Sequence, residues 1–437
     1  MMTTIRASRV SRTLLVLGVA LAASCAAPVR EAARAPIPAT FAAAQVERGA
    51  RLAAVGDCRA CHTATGGADF AGGRGLATPF GKLYTPNITP DAATGIGAWS
   101  EEDFRRAMRE GTGRDGEPLY PAFPYPHFTL VTDEDDRALY AFLMTRPAVA
   151  NAAPRHELAF PFNLRMLVAF WKAIYLRRGP YVEDPAHDAQ WNRGAYLVRG
   201  LGHCGACHSP HDALGAEVHA RSLEGGEAEG WHAFALGRAS AAPVRWTADA
   251  LEAFMRRGWA ADHGVALGPM AAVSAELELA DPADVRAMAV YLADAMRDAS
   301  PPRRNADRAP DDSQGARVYA AECELCHDGA DPLPEGGIAL ERSITVSGED
   351  ARDLVNVTLY GIPGLRPGDD PLMPAYADKL DDAQVAALAS WLRARYGAEP
   401  WADVGSVVRE ARSSMPGFVA SPQRGRHAPA THPSRQK

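Results

Sequence analysis

The sequence predicts an all-α protein built from three tandem repeats, and three observations carry that prediction. A Cys-x-x-Cys-His motif occurs three times at domain-sized intervals: Cys58-Arg59-Ala60-Cys61-His62, Cys204-Gly205-Ala206-Cys207-His208 and Cys323-Glu324-Leu325-Cys326-His327. Each motif follows a helical stretch with a glycine eight to ten residues before its first cysteine, at Gly49, Gly194 and Gly315. Each is followed much later by a second amphipathic helix. Self-similarity of this kind is the signature of one supersecondary unit used repeatedly.

In chain order, residues 1–24 come first. Arg6, Arg9 and Arg12 precede an apolar run from Leu14 to Ala23 that is too short to span a bilayer, which is the layout of an export signal. Leu21-Ala22-Ala23-Ser24-Cys25 looks like a bacterial lipobox. Two readings of Cys25 stay open: a lipid on the odd cysteine, or ordinary cleavage after Ala27 that discards it. The first repeat spans 44–146 and its closing helix starts at Thr132, with Asp135 three positions on. A Pro-containing linker over 147–188 follows. The second repeat spans 189–299, with Asp281 and Asp284 at its closing helix. Residues 300–312 are a polar hinge. The third repeat spans 313–398, with Asp381 and Gln384, and a basic tail over 399–437 is expected to be solvated and disordered from Ala411 onward.

The three closing helices share an apolar stripe at the i, i+3, i+4 spacing of a buried face: Leu139, Phe142 and Leu143; Met288, Tyr291 and Leu292; Leu388, Trp391 and Leu392. The expected partner of each stripe's aromatic is the upstream glycine, whose missing side chain lets two helices cross closely. Length agrees, since 437 residues suggest roughly three globular units. With 47% hydrophobic and 23% charged residues the chain is neither disordered nor polytopic. Its formal charge of −7 becomes −10 once residues 1–24 are removed, which argues against nucleic acid as a partner.

Two cysteines three residues apart on a helical turn can form thioethers with two vinyl groups, and the adjacent histidine then lies over an iron. The motif reads as c-type haem attachment, against a thioredoxin-like redox pair or half a zinc site. Three copies in one helical frame, without the paired spacing zinc needs, favour three covalently bound haem c groups. Cys58, Cys61, Cys204, Cys207, Cys323 and Cys326 would hold them, with His62, His208 and His327 on the irons. The expected fold is thus three class I cytochrome c-like domains.

The far iron ligand separates the repeats. Met270, in Gly268-Pro269-Met270, lies 62 residues after His208, and Met373, in Pro371-Leu372-Met373-Pro374, lies 46 after His327. Both sit in loops before the closing helix, as a thioether ligand should. In the first repeat the matching stretch is LYPAFPYPHF, with Phe123 61 residues after His62. Phenylalanine cannot ligate iron. His127, four residues on, could supply an imidazole, and Met108 and Met144 fit less well. The alternatives are that His127 is a surface histidine and the first iron is five-coordinate, open to peroxide or a small gas. Without a methionine, the first haem should have the lowest potential.

These motifs, with TDEDDRALYAFL, FPFNLR (Phe160 to Arg165) and WNRGAYLVRGLGHCGACHSPHDALGA (Trp191 to Ala216), resemble the triheme cytochrome c subunits of bacterial membrane-bound dehydrogenases. Those act on alcohols, aldehydes, gluconate or N-heterocycles, and the similarity covers nearly the whole mature chain. The resemblance implies an electron-transfer subunit without substrate chemistry of its own. It would take electrons from a catalytic dehydrogenase subunit and deliver them to ubiquinone at the periplasmic side of the inner membrane. The partner's cofactor would be pyrroloquinoline quinone, flavin, or molybdopterin with an iron–sulfur subunit. Phe123 and FLMTRPAV resemble the molybdopterin branch. Residues 160–181, with Leu164, Leu167, Val168, Trp171 and Ile174–Leu176 apolar and Arg165, Lys172, Arg177 and Arg178 basic, read as a helix at the membrane surface or one bridging two repeats.

Overall fold

The computed structural model describes residues 41–300, 312–328, 337–364, 369–396 and 399–414. The expected export signal, Cys25, most of the hinge and the tail beyond Ser414 lie outside the described residues.

The first region runs α1 (Ala43–Val55), α2 (Cys58–Cys61), the hairpin β1 (Gly75–Thr78) and β2 (Gly81–Tyr84), α3 (Glu101–Glu110), α4 (Tyr125–Phe128) and α5 (Asp133–Met144). The Thr132 side chain caps α5 by accepting from the Asp135 N–H, and α3 starts with a capping box between Ser100 and Asp103. α1 crosses α5 at Gly49. A Cβ there would stand 1.9 Å from the Ala138 carbonyl oxygen and 2.7 Å from the Phe142 Cβ.

Residues 147–188 form more than a linker. β3 (Glu157–Leu158) adds a third antiparallel strand to β1 and β2, and α6 (Met166–Tyr175) follows it. Asn87 Nδ2 donates to the Val149 carbonyl at 2.7 Å, and Asn151 Nδ2 to that of Ala71 at 2.8 Å, so the segment is sewn to the first region.

The second region repeats the plan with α7 (Ala189–Arg199), α8 (Gly205–His208), the hairpin β4 (Gly226–Ala228) and β5 (Trp231–Ala233), α9 (Ala248–Arg257), the small pair β6 (Trp259–Ala260) and β7 (Gly264–Val265), α10 (Pro269–Leu277) and α11 (Pro282–Ala295). α7 crosses α11 at Gly194, where a Cβ would lie 2.0 Å from the Ala287 carbonyl oxygen and 2.9 Å from the Tyr291 Cβ. Asp281 caps α11 through the Ala283 N–H rather than forming a box with Asp284. Asp284 is drawn instead into a two-point pair with Arg193 at 2.7 Å.

The third region has α12 (Gln314–Glu322), α13 (Glu324–His327), α14 (Ile344–Ser347), α15 (Arg352–Tyr360), α16 (Asp382–Tyr396) and α17 (Val404–Ser414). Asp381 and Gln384 form the expected reciprocal cap, and α12 crosses α16 at Gly315, where a Cβ would lie 2.5 Å from the Trp391 Cβ. The tail expected over 399–437 therefore begins as structure. α17 buries Val404, Val408 and Ala411, Tyr360 donates its hydroxyl to the Ala411 carbonyl, and Arg412 pairs with Asp382. Burying each valine contributes about 1.5 to 3 kcal/mol, which a polar composition outside the helix conceals.

Two differences from the expected architecture matter. Short antiparallel hairpins interrupt an otherwise helical chain. The first two regions also share one continuous apolar core, whereas the third has its own. Asp135 shows why the first two merge, since it accepts from Arg48 of α1 at 2.6 Å and from the Tyr196 hydroxyl of α7 at 2.7 Å.

Candidate functional site

In the first two motifs the short helix carrying the cysteines ends on a histidine whose ring is oriented by the hairpin that follows. His62 Nδ1 lies 2.8 Å from the Pro86 carbonyl oxygen, just beyond β2, and His208 Nδ1 lies 2.6 Å from that of Phe234, just beyond β5. A ring that donates its Nδ1 proton to a carbonyl keeps Nε2 as the free lone pair, which is the tautomer a metal requires. Burial holds both rings below the usual histidine pKa and so neutral. His327 is likewise pushed down by burial, and its Nδ1 has no partner among the described residues.

Burial pushes the thiols of Cys58, Cys61 and Cys204 up to about 12, and those of Cys207 and Cys323 up to about 11. Such thiols are poor thiolate ligands and poor redox nucleophiles. None of the six motif cysteines is in a disulfide, and among the described residues no group of three His, Cys, Asp or Glu side chains is placed to hold a metal ion. The surroundings fit a haem instead. Trp231 of β5 carries a buried indole Nε1–H without an acceptor among the described residues, and its ring packs where a Cβ on Gly268 would come within 2.6 Å. A buried unpaired donor beside the start of α10, where Met270 sits rather than in the expected loop, suits an acceptor supplied by a bound group, such as a propionate.

Met270 is half-buried at the start of α10, its N–H on the Leu267 carbonyl. Met373 is held by an antiparallel bridge to Ile362, with N–O distances of 2.9 and 3.2 Å. Gly361, at φ 71, makes that bridge possible, because a Cβ would meet the Met373 carbonyl oxygen at 2.4 Å. Both methionines are thus fixed by backbone rather than by loose packing.

The first site differs. Phe123 packs edge-on against Phe128 at 5.4 Å and Tyr125 at 6.4 Å, so aromatic packing fills the place of a methionine. Against the expectation from its loop position, His127 offers no free nitrogen. Nδ1 faces the Arg199 carbonyl oxygen at 2.9 Å and Nε2 faces Glu217 Oε2 at 3.1 Å. Met108 is buried in the face of α3.

His127 and Glu217 instead lock the first region onto the second. Burial alone would raise the Glu217 carboxyl, but hydrogen bonds from His127, Ser209 and Ser222 and the charge of His127 hold it at about 2. His127→Ala is therefore expected to leave the visible spectrum unchanged and to destabilise the chain by about 2 kcal/mol in thermal unfolding. That is below the ~3 to 5 kcal/mol of a fully buried pair, because both serines still donate. The sign with pH follows from the depressed value. The contribution of Glu217 is complete above its ordinary 4.5 and is lost as pH falls toward 2. In acid unfolding, Glu217→Gln is expected to lack this limb.

Beside the first two motifs the same boundary carries further charge. Arg59, between Cys58 and Cys61, donates to Glu276 at 2.8 Å, and Arg74 bridges the Ala60 carbonyl and Glu229 at 2.7 and 2.8 Å. Burial, with Glu276 adding to it, raises the Asp57 carboxyl to about 8. Asp57 and His203, each just before a first cysteine, share left-handed backbone at φ 49 and 38. Positions so strained recur only where the surrounding structure over-determines them. No pattern of residue type exposes them in the sequence, since one is an acid and the other an imidazole.

Residues 46–147 match the family model described as cytochrome c, and residues 310–392 match that described as cytochrome C oxidase, cbb3-type, subunit III. The chain is 45% identical over 386 residues to a nicotinate dehydrogenase subunit of Pseudomonas putida, a match covering 86% of this chain and 32% of that protein. The chain thus spans about a third of the length of that relative. It is 38% identical to the gluconate 2-dehydrogenase cytochrome c subunit of Pantoea cypripedii, covering 81% of this chain and 86% of the relative. It is 33% identical to the fructose dehydrogenase cytochrome subunit of Gluconobacter japonicus, covering 89% and 87%.

Proposed function

Since the chain belongs to the cytochrome c subunits of dehydrogenases, whose cytochrome c domains imply covalently bound haem c and a role in electron transfer, we propose that it carries three haems and relays electrons from a catalytic dehydrogenase subunit to membrane ubiquinone. The observation that carries the reading is the threefold recurrence of one frame: a glycine-crossed helix pair around each Cys-x-x-Cys-His motif. In this reading the three domains are tandem and cytochrome c-like, and the chain works on the periplasmic face of the inner membrane.

Haem supplies one-electron transfer without bond making. The chain's own residues would do the rest. Six cysteines would tether the groups, His62 and His208 would present Nε2 because the Pro86 and Phe234 carbonyls hold Nδ1, and His327 would serve the third. Met270 and Met373 would complete the second and third sites. A partner of the aldehyde or N-heterocycle branch, with molybdopterin and an iron–sulfur subunit, is favoured by Phe123 and by the 45% identity to a nicotinate dehydrogenase subunit. A quinoprotein or flavoprotein partner is the alternative.

The complex purified from membranes, given the partner's substrate, should reduce all the haems and pass the electrons to a soluble ubiquinone analogue. A chain that purifies alone and stays oxidised would overturn the reading. A second reading rests on Phe123 and the engaged ring of His127, which leave the first iron without a ligand from that loop. It would then bind carbon monoxide when reduced, whereas three inert low-spin haems would remove that possibility.

A further inference from the structure

We infer that α6 is an in-plane membrane contact in which Phe160, Met166, Phe170 and Ile174 enter the headgroup boundary of an anionic bilayer. The inference rests on the membrane destination proposed above and assigns the surface that reaches it.

The geometry of α6 inverts the ordinary arrangement of a helix on a globular protein. Its inner face is held by polar ties: Trp171 Nε1 donates to the Leu214 carbonyl at 3.0 Å, Lys172 Nζ to that of Gly111 at 2.9 Å, and the Tyr175 hydroxyl to Asp212 at 2.7 Å. Those partners belong to both the first and the second region, so the helix is strapped across them in a fixed orientation. Its outer face then carries Met166, Phe170 and Ile174 at successive i+4 positions, 67%, 65% and 69% exposed, beside Phe160 at 78%. Four such side chains left in water forgo the hydrophobic gain of burial, and contiguous exposed apolar patches mark interaction surfaces.

Charge selects the occupant. The chain as a whole is acidic, yet residues 160–182 contain no Asp or Glu and carry Arg165, Lys172, Arg177 and Arg178. Arg177 and Arg178 lie directly beyond the helix, and Arg178 is exposed. Arg165 and Lys172 are tied inward to the Pro118 and Gly111 carbonyls, so the cationic edge of the apolar stripe is the exposed pair Arg177 and Arg178, the latter 3.8 Å from Glu110. An apolar stripe with such an edge, on a helix parallel to the surface, suits the boundary of an anionic lipid layer. α6 has 10 residues, about 15 Å of helix, too short to cross a bilayer, so the contact it can make is in-plane. The sequence left two readings of this helix open, at the membrane surface or bridging two repeats, and counted Val168 and Trp171 among its apolar residues. The structure turns both inward, with Val168 buried and Trp171 bonded to the Leu214 carbonyl, so the outer positions Phe170 and Ile174 test the idea.

The test uses the full-length haem-loaded chain with Cys25→Ser, so that no acyl chain contributes, and vesicles of phosphatidylcholine with or without phosphatidylglycerol. The wild-type surface is expected to bind the phosphatidylglycerol vesicles and to be weakened by salt. Phe170→Asp with Ile174→Asp should lower partitioning by at least roughly tenfold while the haem spectrum and thermal midpoint stay unchanged, because both positions are exposed. Equal partitioning of variant and parent, or no binding of the parent to either vesicle, overturns the inference. So does a variant that binds vesicles normally but loses its catalytic subunit, since the patch would then be a protein interface. Reduction of the haems by the catalytic subunit in detergent is read separately, so failure here leaves the electron-transfer reading to its own test.

Discussion

Gly194→Val is expected to prevent the region around the second Cys-x-x-Cys-His motif from folding. The position sits where α7 crosses α11, and an added Cβ would meet the Ala287 carbonyl oxygen at 2.0 Å. That atom belongs to a hydrogen-bonded helix backbone and cannot swing aside as a side chain could. Overpacking a core usually costs about 1 to 3 kcal/mol, and a backbone clash at a helix crossing should exceed the top of that range. The first two regions share one apolar core, so the damage should reach the surroundings of the first motif as well. Thermal unfolding and haem content after secretion would show it. A variant with the parent's melting temperature and full haem content would mean that the crossing is not the structural hinge of the unit.

The second large effect concerns potential rather than stability. On the proposed ligation, Met270→Leu and Met373→Leu each keep most of the side-chain volume and cost less than about 1.5 kcal/mol in packing. Each should nevertheless remove one thioether-to-iron band and lower one haem's potential by on the order of 0.1 V, a fraction of the ~0.8 V that axial ligands span. Electron flow to a quinone analogue should slow accordingly. Redox titration of the two variants against the parent would check this. If neither titration changes, the methionines are packing residues and the ligands lie elsewhere.

What the sequence made legible was the part governed by spacing. The motifs, the crossing glycines and the aromatics opposite them were readable because a helix pair imposes fixed intervals, and Gly49, Gly194 and Gly315 all meet the expected partner. The Thr132 cap and the Asp381–Gln384 box were readable for the same reason. Asp284 was not, because its carboxylate is claimed by Arg193 from 91 residues away. The hairpins were missed because strands of three or four residues carry no alternation to detect, although they supply the carbonyls that orient His62 and His208. α17 was missed because its buried face is only Val404, Val408 and Ala411, in a stretch where serines, a glycine and three charged residues fill most of the other positions.

His127 shows the limit most clearly. Loop position made it a candidate ligand, while its partners Arg199 and Glu217 lie in another repeat, the first of them 72 residues further on. The outer face of α6 was not legible for a related cause. Apolar residues surround that helix on all sides, and only the ties of Trp171, Lys172 and Tyr175 decide which of them face out.

The proposed function turns on three haems in one chain. The most direct measurement is the intact mass of the secreted, unreduced protein under denaturing conditions, which leave thioether bonds in place. The expected value is the polypeptide mass plus three haem groups, with one group lost from the count for each motif whose cysteines are replaced. A mass corresponding to two haems, with one Cys-x-x-Cys-His motif carrying free thiols, would contradict it.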